Sequence, residues 1–136
     1  QSQSTSSPCS ISQKACVAAL NGPQDFIEET RKIFTRRRNI AHKLINEIPG
    51  LKCDMPEGAF YVFINCSGLF GKKTPDGKII NNSNDFVIYL LEQVYLAVVD
   101  GAAFGTEGYF RISYATSDEQ LIKGCELMKK ACEMLS

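Results

Sequence analysis

The alternation in residues 109–115, YFRISYA, constrains the fold of this chain more than any other stretch. Successive side chains of a strand point to opposite faces. Phe110, Ile112 and Tyr114 therefore share one apolar face, and Tyr109, Arg111, Ser113 and Ala115 share the other. The first face must pack against a core. The second holds a guanidinium among small and hydroxylated neighbours, a setting suited to receiving a carboxylate or phosphate, because a planar guanidinium forks onto two oxygens at once. A structural ion pair with a carboxylate of the same domain is the competing reading of Arg111.

The remaining elements follow from periodicity and punctuation. Ser10-Ile11-Ser12-Gln13 fits a capping box opening a short helix that Asn21-Gly22-Pro23 stops. From Pro23 onward, Phe26, Ile33, Phe34, Arg37, Ile40, Ala41, Leu44, Ile45 and Ile48 recur at helical spacing, predicting a long amphipathic helix that ends at Pro49-Gly50. GAFYVFIN at 58–65 is apolar on both alternating faces, which predicts a strand buried on both sides. A polar, turn-rich loop follows, and Ser83 is expected to cap a helix through Phe86, Val87, Leu90, Leu91 and Val94. Leu96–Val99 reads as a short strand. The Gly-rich loop 100–108 then makes it an antiparallel neighbour of 109–115. Ser117-Asp118-Glu119-Gln120 gives a second capping box, and the last helix carries Leu121, Cys125, Met128, Cys132 and Leu135 on one stripe. These elements predict an α+β fold: a two-layer arrangement with helices covering one face of a small sheet.

Composition narrows the function. The 136 residues suit an ordinary domain, and 15 basic side chains balance 15 acidic ones, so no electrostatic footprint points to nucleic acid or an anionic membrane surface. The basic run TRRRN at 35–39 lacks interleaved aromatics, and Arg36 and Arg38 are expected on the wet face of the long helix. No apolar run is long enough to span a membrane, and no signal-peptide pattern is present. Six cysteines without a C-x-x-C pair and a single histidine, His42, exclude a zinc site and predict reduced thiols, hence a cytoplasmic location. His42 has no visible partner and is expected to pack or face solvent. Two phosphate-loop lookalikes in 68–78 fail on spacing. The polar opening QSQSTSSPCS reads as though taken from the middle of a longer protein.

Three stretches taken together carry a family resemblance. MPEGAFYVFIN at 55–65, YLAVVDGAAFGTEGYFRISYATSDEQL at 95–121 and QSQSTSSPCSISQKA at 1–15 resemble, in order and separation, the C-terminal third of the bacterial aspartate aminotransferases. Those are pyridoxal-phosphate enzymes of fold type I. The resemblance implies that residues 1–24 end a large domain and lie near a subunit interface of a homodimer, and that 25–136 form the C-terminal small domain. It implies that Arg111 binds the α-carboxylate of an amino acid or 2-oxo acid substrate and so orients the bond that must break next to the cofactor. It also implies that the small domain closes on the large one when substrate binds.

The family's cofactor-anchoring lysine, its phosphate-binding loop, its pyridine-pairing aspartate and its ring-stacking residue find no counterpart here. No catalytic, cofactor-binding or metal-binding residue is therefore assigned, and the stretch alone is expected to be inactive. The loop 66–83 is longer than the family pattern, and Asp100 stands where the family often has proline. Arg111 reads a group common to all amino acids, so an aromatic, alanine or prephenate aminotransferase remains open, as does a non-catalytic amino-acid-binding module.

Overall fold

The computed structural model describes residues 7–136. The polar stretch 1–6, including Ser2, Ser4 and Thr5, lies outside the described residues. The chain divides into two compact units, residues 1–32 and 33–136.

In the first unit, helix α1 spans Ser10–Asn21, and none of its residues is buried. The expected capping box does not form. Cys9 is the N-cap, with no side-chain cap bond, because the extended backbone ends at Cys9 and Ser10 already lies in the helix proper. Gln13 instead donates its amide to the Pro8 carbonyl at 2.9 Å. Helix α2, Asp25–Asn46, begins in the first unit with Asp25 and Glu28 at its positive end and runs on into the second.

In the second unit, four antiparallel strands, β1 (Lys52–Cys53), β2 (Tyr61–Asn65), β3 (Val99–Asp100) and β4 (Tyr109–Ser113), lie in the order β1-β2-β4-β3. The β3–β4 pairing is the antiparallel neighbour relation expected from the short loop, in register Val99 to Arg111. β1 was not anticipated. It exists because α2 stops at Asn46, before Pro49, and the Asn46 side chain accepts from Cys53 N–H at 3.1 Å while donating to the Cys53 carbonyl at 3.0 Å. One side chain thus terminates the helix and pins the edge strand.

Helices α3 (Ser83–Val94) and α4 (Asp118–Glu133) pack with α2 on one face of the sheet. Ala41 and Ile45 of α2, Phe86 and Leu90 of α3, and Leu121 and Met128 of α4 join Val62, Ile64 and Phe110 in one buried cluster. The Phe86 and Phe110 rings meet edge to face with centroids 5.5 Å apart. Asn82, one residue before the expected Ser83, caps α3 by accepting from Asp85 N–H at 2.8 Å. Ser117 caps α4 as the sequence predicts, accepting from Gln120 N–H at 3.2 Å.

The reading of GAFYVFIN as buried on both faces is corrected. Val62 and Ile64 are buried, whereas Tyr61 is exposed and Phe63 half-buried. The helices occupy one face only, and the outward aromatics meet each other: Phe63 stacks on Tyr109 at 5.2 Å, and Tyr61 meets Phe60 at a tilt, with centroids 4.4 Å apart. An apolar run cannot by its composition distinguish a second core face from an aromatic platform.

The arginines at 36–38 are spent internally. Asp118, at the start of α4, takes Arg36 at 2.7 Å and Arg37 at 3.0 Å, and Arg38 donates to the Pro56 carbonyl at 3.1 Å. Hydrogen bonds from Arg37 and then Arg36 hold the Asp118 carboxyl below its ordinary value. A carboxyl depressed in the folded state stabilises above its unfolded pKa and loses that contribution as pH falls through its folded value. Asp118→Asn should therefore lower the urea midpoint at neutral pH, and the gap from the parent protein should close on acidification below the usual carboxylate range. A gap that is constant with pH would contradict the pairing.

Candidate functional site

Arg111 occupies the middle of β4, directly across from Phe63 of β2. The ladder fixes its direction: Phe110 and Tyr114 go into the core, and Arg111 emerges on the uncovered face with Tyr109 and Ser113. Its guanidinium carbon lies 4.1 Å from the centroid of the Tyr61 ring and 4.3 Å from that of Phe104, so the two rings flank it. Such contacts contribute about 0.5–1 kcal/mol each where solvent reaches them. Neither ring can accept an N–H hydrogen bond in the way a carboxylate does, so the five N–H donors of the guanidinium still call for an oxygen partner. Among the described residues, no carboxylate pairs with Arg111.

Each ring is held from the backbone upward. Tyr61 follows Ala59, whose φ of 58° is a left-handed conformation that an L side chain resists. Tyr114 stabilises that turn, its hydroxyl donating to the Ala59 carbonyl at 2.9 Å and its N–H to the Phe60 carbonyl at 2.9 Å. The strand that carries Arg111 thus also sets the entry to the strand that carries Tyr61. Phe104 ends a single 3-10 turn, Gly101–Phe104, in the loop between β3 and β4. At Gly101 a Cβ would collide with the backbone carbonyls of Tyr109 and Thr106, so only glycine permits the turn to fold this closely on β4.

Beside Arg111 opens a cleft of about 320 Å³ between the 96–99 segment and α4, floored by Leu121, Cys125 and Met128. Its lining holds no lysine and no carboxylate. Among the described residues, no group of His, Cys, Asp and Glu is placed to hold a metal ion, and no helix is long and apolar enough to cross a membrane. His42 is half-buried on α2, away from this face.

Sequence reasoning located Arg111 and its outward face. It missed both flanking rings, since Tyr61 read as core and Phe104 as part of a glycine-rich loop. The signal for Tyr61 was the antiparallel register, which places it two pairs from Arg111 on the same face.

Comparisons with known proteins show the family. Residues 1–127 match the family model described as aminotransferase class I and II. The chain belongs to that family. A probable aspartate/prephenate aminotransferase of Rickettsia felis is 54% identical over 136 residues, all of this chain and 33% of the relative. The crystal structure of the aspartate aminotransferase of Rhizobium meliloti superposes with a TM-score of 0.94 at 53% identity, covering 99% of this chain and 34% of that one. An alanine aminotransferase from Pyrococcus furiosus gives 0.81 at 30% identity, over 93% and 30% respectively. The chain therefore spans about a third of the length of the relatives it matches. Its helices and small antiparallel sheet match the C-terminal portion of the fold type I aminotransferases.

The class I and II aminotransferase family implies pyridoxal phosphate as cofactor. The cleft beside Arg111 offers no amine for the carbonyl carbon, no carboxylate for the ring nitrogen and no array of donors for the phosphate.

The thiols carry no chemistry in this unit. Burial pushes Cys66 and Cys132 up to about 12, and Cys53 and Cys125 up to about 11. Thiolate is the reactive form, so all four are inert at neutral pH. A thiol reagent at pH 8 should leave these four unmodified in the native protein and label them on unfolding; native labelling of Cys125 would contradict the packing of the cleft floor.

Proposed function

We propose that this segment supplies the substrate-carboxylate grip of a pyridoxal-phosphate-dependent aspartate aminotransferase, which exchanges aspartate and 2-oxoglutarate for oxaloacetate and glutamate. The observation that carries the reading is Arg111: a guanidinium flanked by two rings on the open face of the sheet, with no carboxylate partner among the described residues. An arginine that served only structure would be paired internally, as Arg36 and Arg37 are with Asp118. A substrate carboxylate would instead take two parallel charge-assisted bonds from its free edge, each contributing roughly 1.5–3 kcal/mol net.

In this reading residues 25–136 act as the small domain, and 1–24 end a large domain near the interface of a homodimer. The rest of such a protein holds the cofactor, and this segment by itself does not transaminate. A carboxylate bridging Arg111 and a second domain binds the closed arrangement better than the open one, and that difference in affinity is what drives closure.

A second reading has specific support. Relatives at 53–56% identity are described as probable aspartate/prephenate aminotransferases. Arg111 contacts a group that aspartate and prephenate-derived substrates share, so it serves either activity, and side-chain choice is made elsewhere.

The test is Arg111→Leu in the full-length protein. Truncating one partner of a paired charge costs about 2–5 kcal/mol, roughly 30- to several-thousand-fold, so kcat/KM for aspartate should fall by that factor with the melting temperature little changed. Arg111→Lys should recover only part of the loss, since an ammonium neither forks onto a carboxylate nor stacks between rings. Unaltered kinetics with aspartate in Arg111→Leu would overturn the assignment.

A further inference from the structure

A ring steadies a guanidinium only as well as its own backbone is held. Phe104 sits in the loop that joins β3 to β4, where Gly105 and Gly108 adopt positive φ values of 76° and 81°. Within the loop, Gly105 and Thr106 donate back to Ala102 and Gly101, each at 3.0 Å. At its far end Cys66 N–H donates to the Gly108 carbonyl at 2.8 Å, continuing the β2–β4 ladder. These bonds shape the loop. They do not tie it to the helical layer.

That tie is made at Ser83, the first residue of α3, which is fully buried. Its hydroxyl lies 2.7 Å from Asp100 Oδ1 and 2.9 Å from Glu107 Oε1. Its backbone N–H donates to the same Glu107 oxygen at 2.8 Å. Asp100 ends β3 and Glu107 lies two residues before β4, so the two carboxylates bracket the loop and close on one side chain. A single hydroxyl proton serves both. Backbone donors complete each set: Gly108 N–H reaches Glu107 at 3.1 Å, and Ala102 N–H reaches Asp100 at 3.2 Å. The acidic side chain of Glu107 also sits at the positive end of α3, where a negative charge is favoured. Asp100, which the sequence singled out as a departure from proline, is thereby accounted for: proline has neither the oxygen for Ser83 nor a cap for the 3-10 turn.

We propose that Ser83, Asp100 and Glu107 form a latch that positions Phe104 against Arg111 and so sets the angle at which the guanidinium edge meets its carboxylate. The latch rests on the reading of Arg111 as the carboxylate grip. None of the three residues touches the ligand. They are positioning residues, acting through the ring.

The test uses the full-length protein and the dissociation constant of maleate, a plain dicarboxylate, measured by calorimetry. Phe104→Leu should weaken maleate by roughly two- to fivefold, the loss of one cation–π contact. Glu107→Ala, at an exposed side chain, should weaken it by a similar factor. Glu107→Gln keeps an oxygen to accept from Ser83 and Gly108 and should restore most of the affinity, and Asp100→Ala is the parallel variant should Glu107→Ala not fold. In the Phe104→Leu background, Glu107→Ala should add nothing, because residues that act through one another are not additive. Full additivity, or Glu107→Ala binding maleate like the parent while Arg111→Leu does not, would overturn the latch and leave the grip standing. Maleate binding unchanged in Arg111→Leu would remove the grip itself, and the latch with it.

Discussion

The five-pair ladder between β2 and β4, from Tyr61 opposite Ser113 to Asn65 opposite Tyr109, is the constraint on which the rest depends. Because side chains alternate, one register sends Val62, Ile64 and Phe110 to the helices and sends Tyr61, Phe63, Tyr109 and Arg111 outward. A slip by one residue would reverse every assignment and bury the guanidinium. Burying an unpaired charge costs several kcal/mol even after relaxation, so the fold and the site are specified by the same pairing. Tyr114 reinforces it from the end of β4 by bonding to the turn that begins β2.

The geometry around Arg111 separates holding from binding. Two rings lie within cation–π distance of the guanidinium, a weak interaction while water is present. In the proposed reading its donors serve a partner that is planar and has two acceptor oxygens. On that reading, a partner that also excluded water would meet the same donors at a lower local dielectric and so interact far more strongly. Elsewhere in the unit, arginines are committed to internal partners at the α2–α4 contact, where they hold helices rather than ligands.

Much of this was legible in the sequence, and the misses have physical reasons. The alternation in YFRISYA gave the face of Arg111, the short glycine-rich loop gave the antiparallel neighbour, and Ser117 gave the start of α4. The second face of GAFYVFIN was misread because aromatic side chains serve equally as core and as a stacking platform, and periodicity measures neither. Ser83 was taken for a helix cap. It is displaced from that role by Asn82, and its hydroxyl turns inward to carboxylates 17 and 24 residues away in sequence. Such long-range polar pairing leaves no local pattern. Phe104 was hidden for the same reason: its partner is chosen by how the loop folds back on β4, which Gly101 permits and no periodicity announces.

The most direct measurement is a crystal structure of the full-length protein with a bound amino-acid analogue. The account expects both oxygens of the analogue's α-carboxylate within about 2.7–2.9 Å of the Arg111 guanidinium nitrogens, with Tyr61 and Phe104 still on its faces. A carboxylate bound elsewhere, with Arg111 paired to a protein carboxylate, would contradict it.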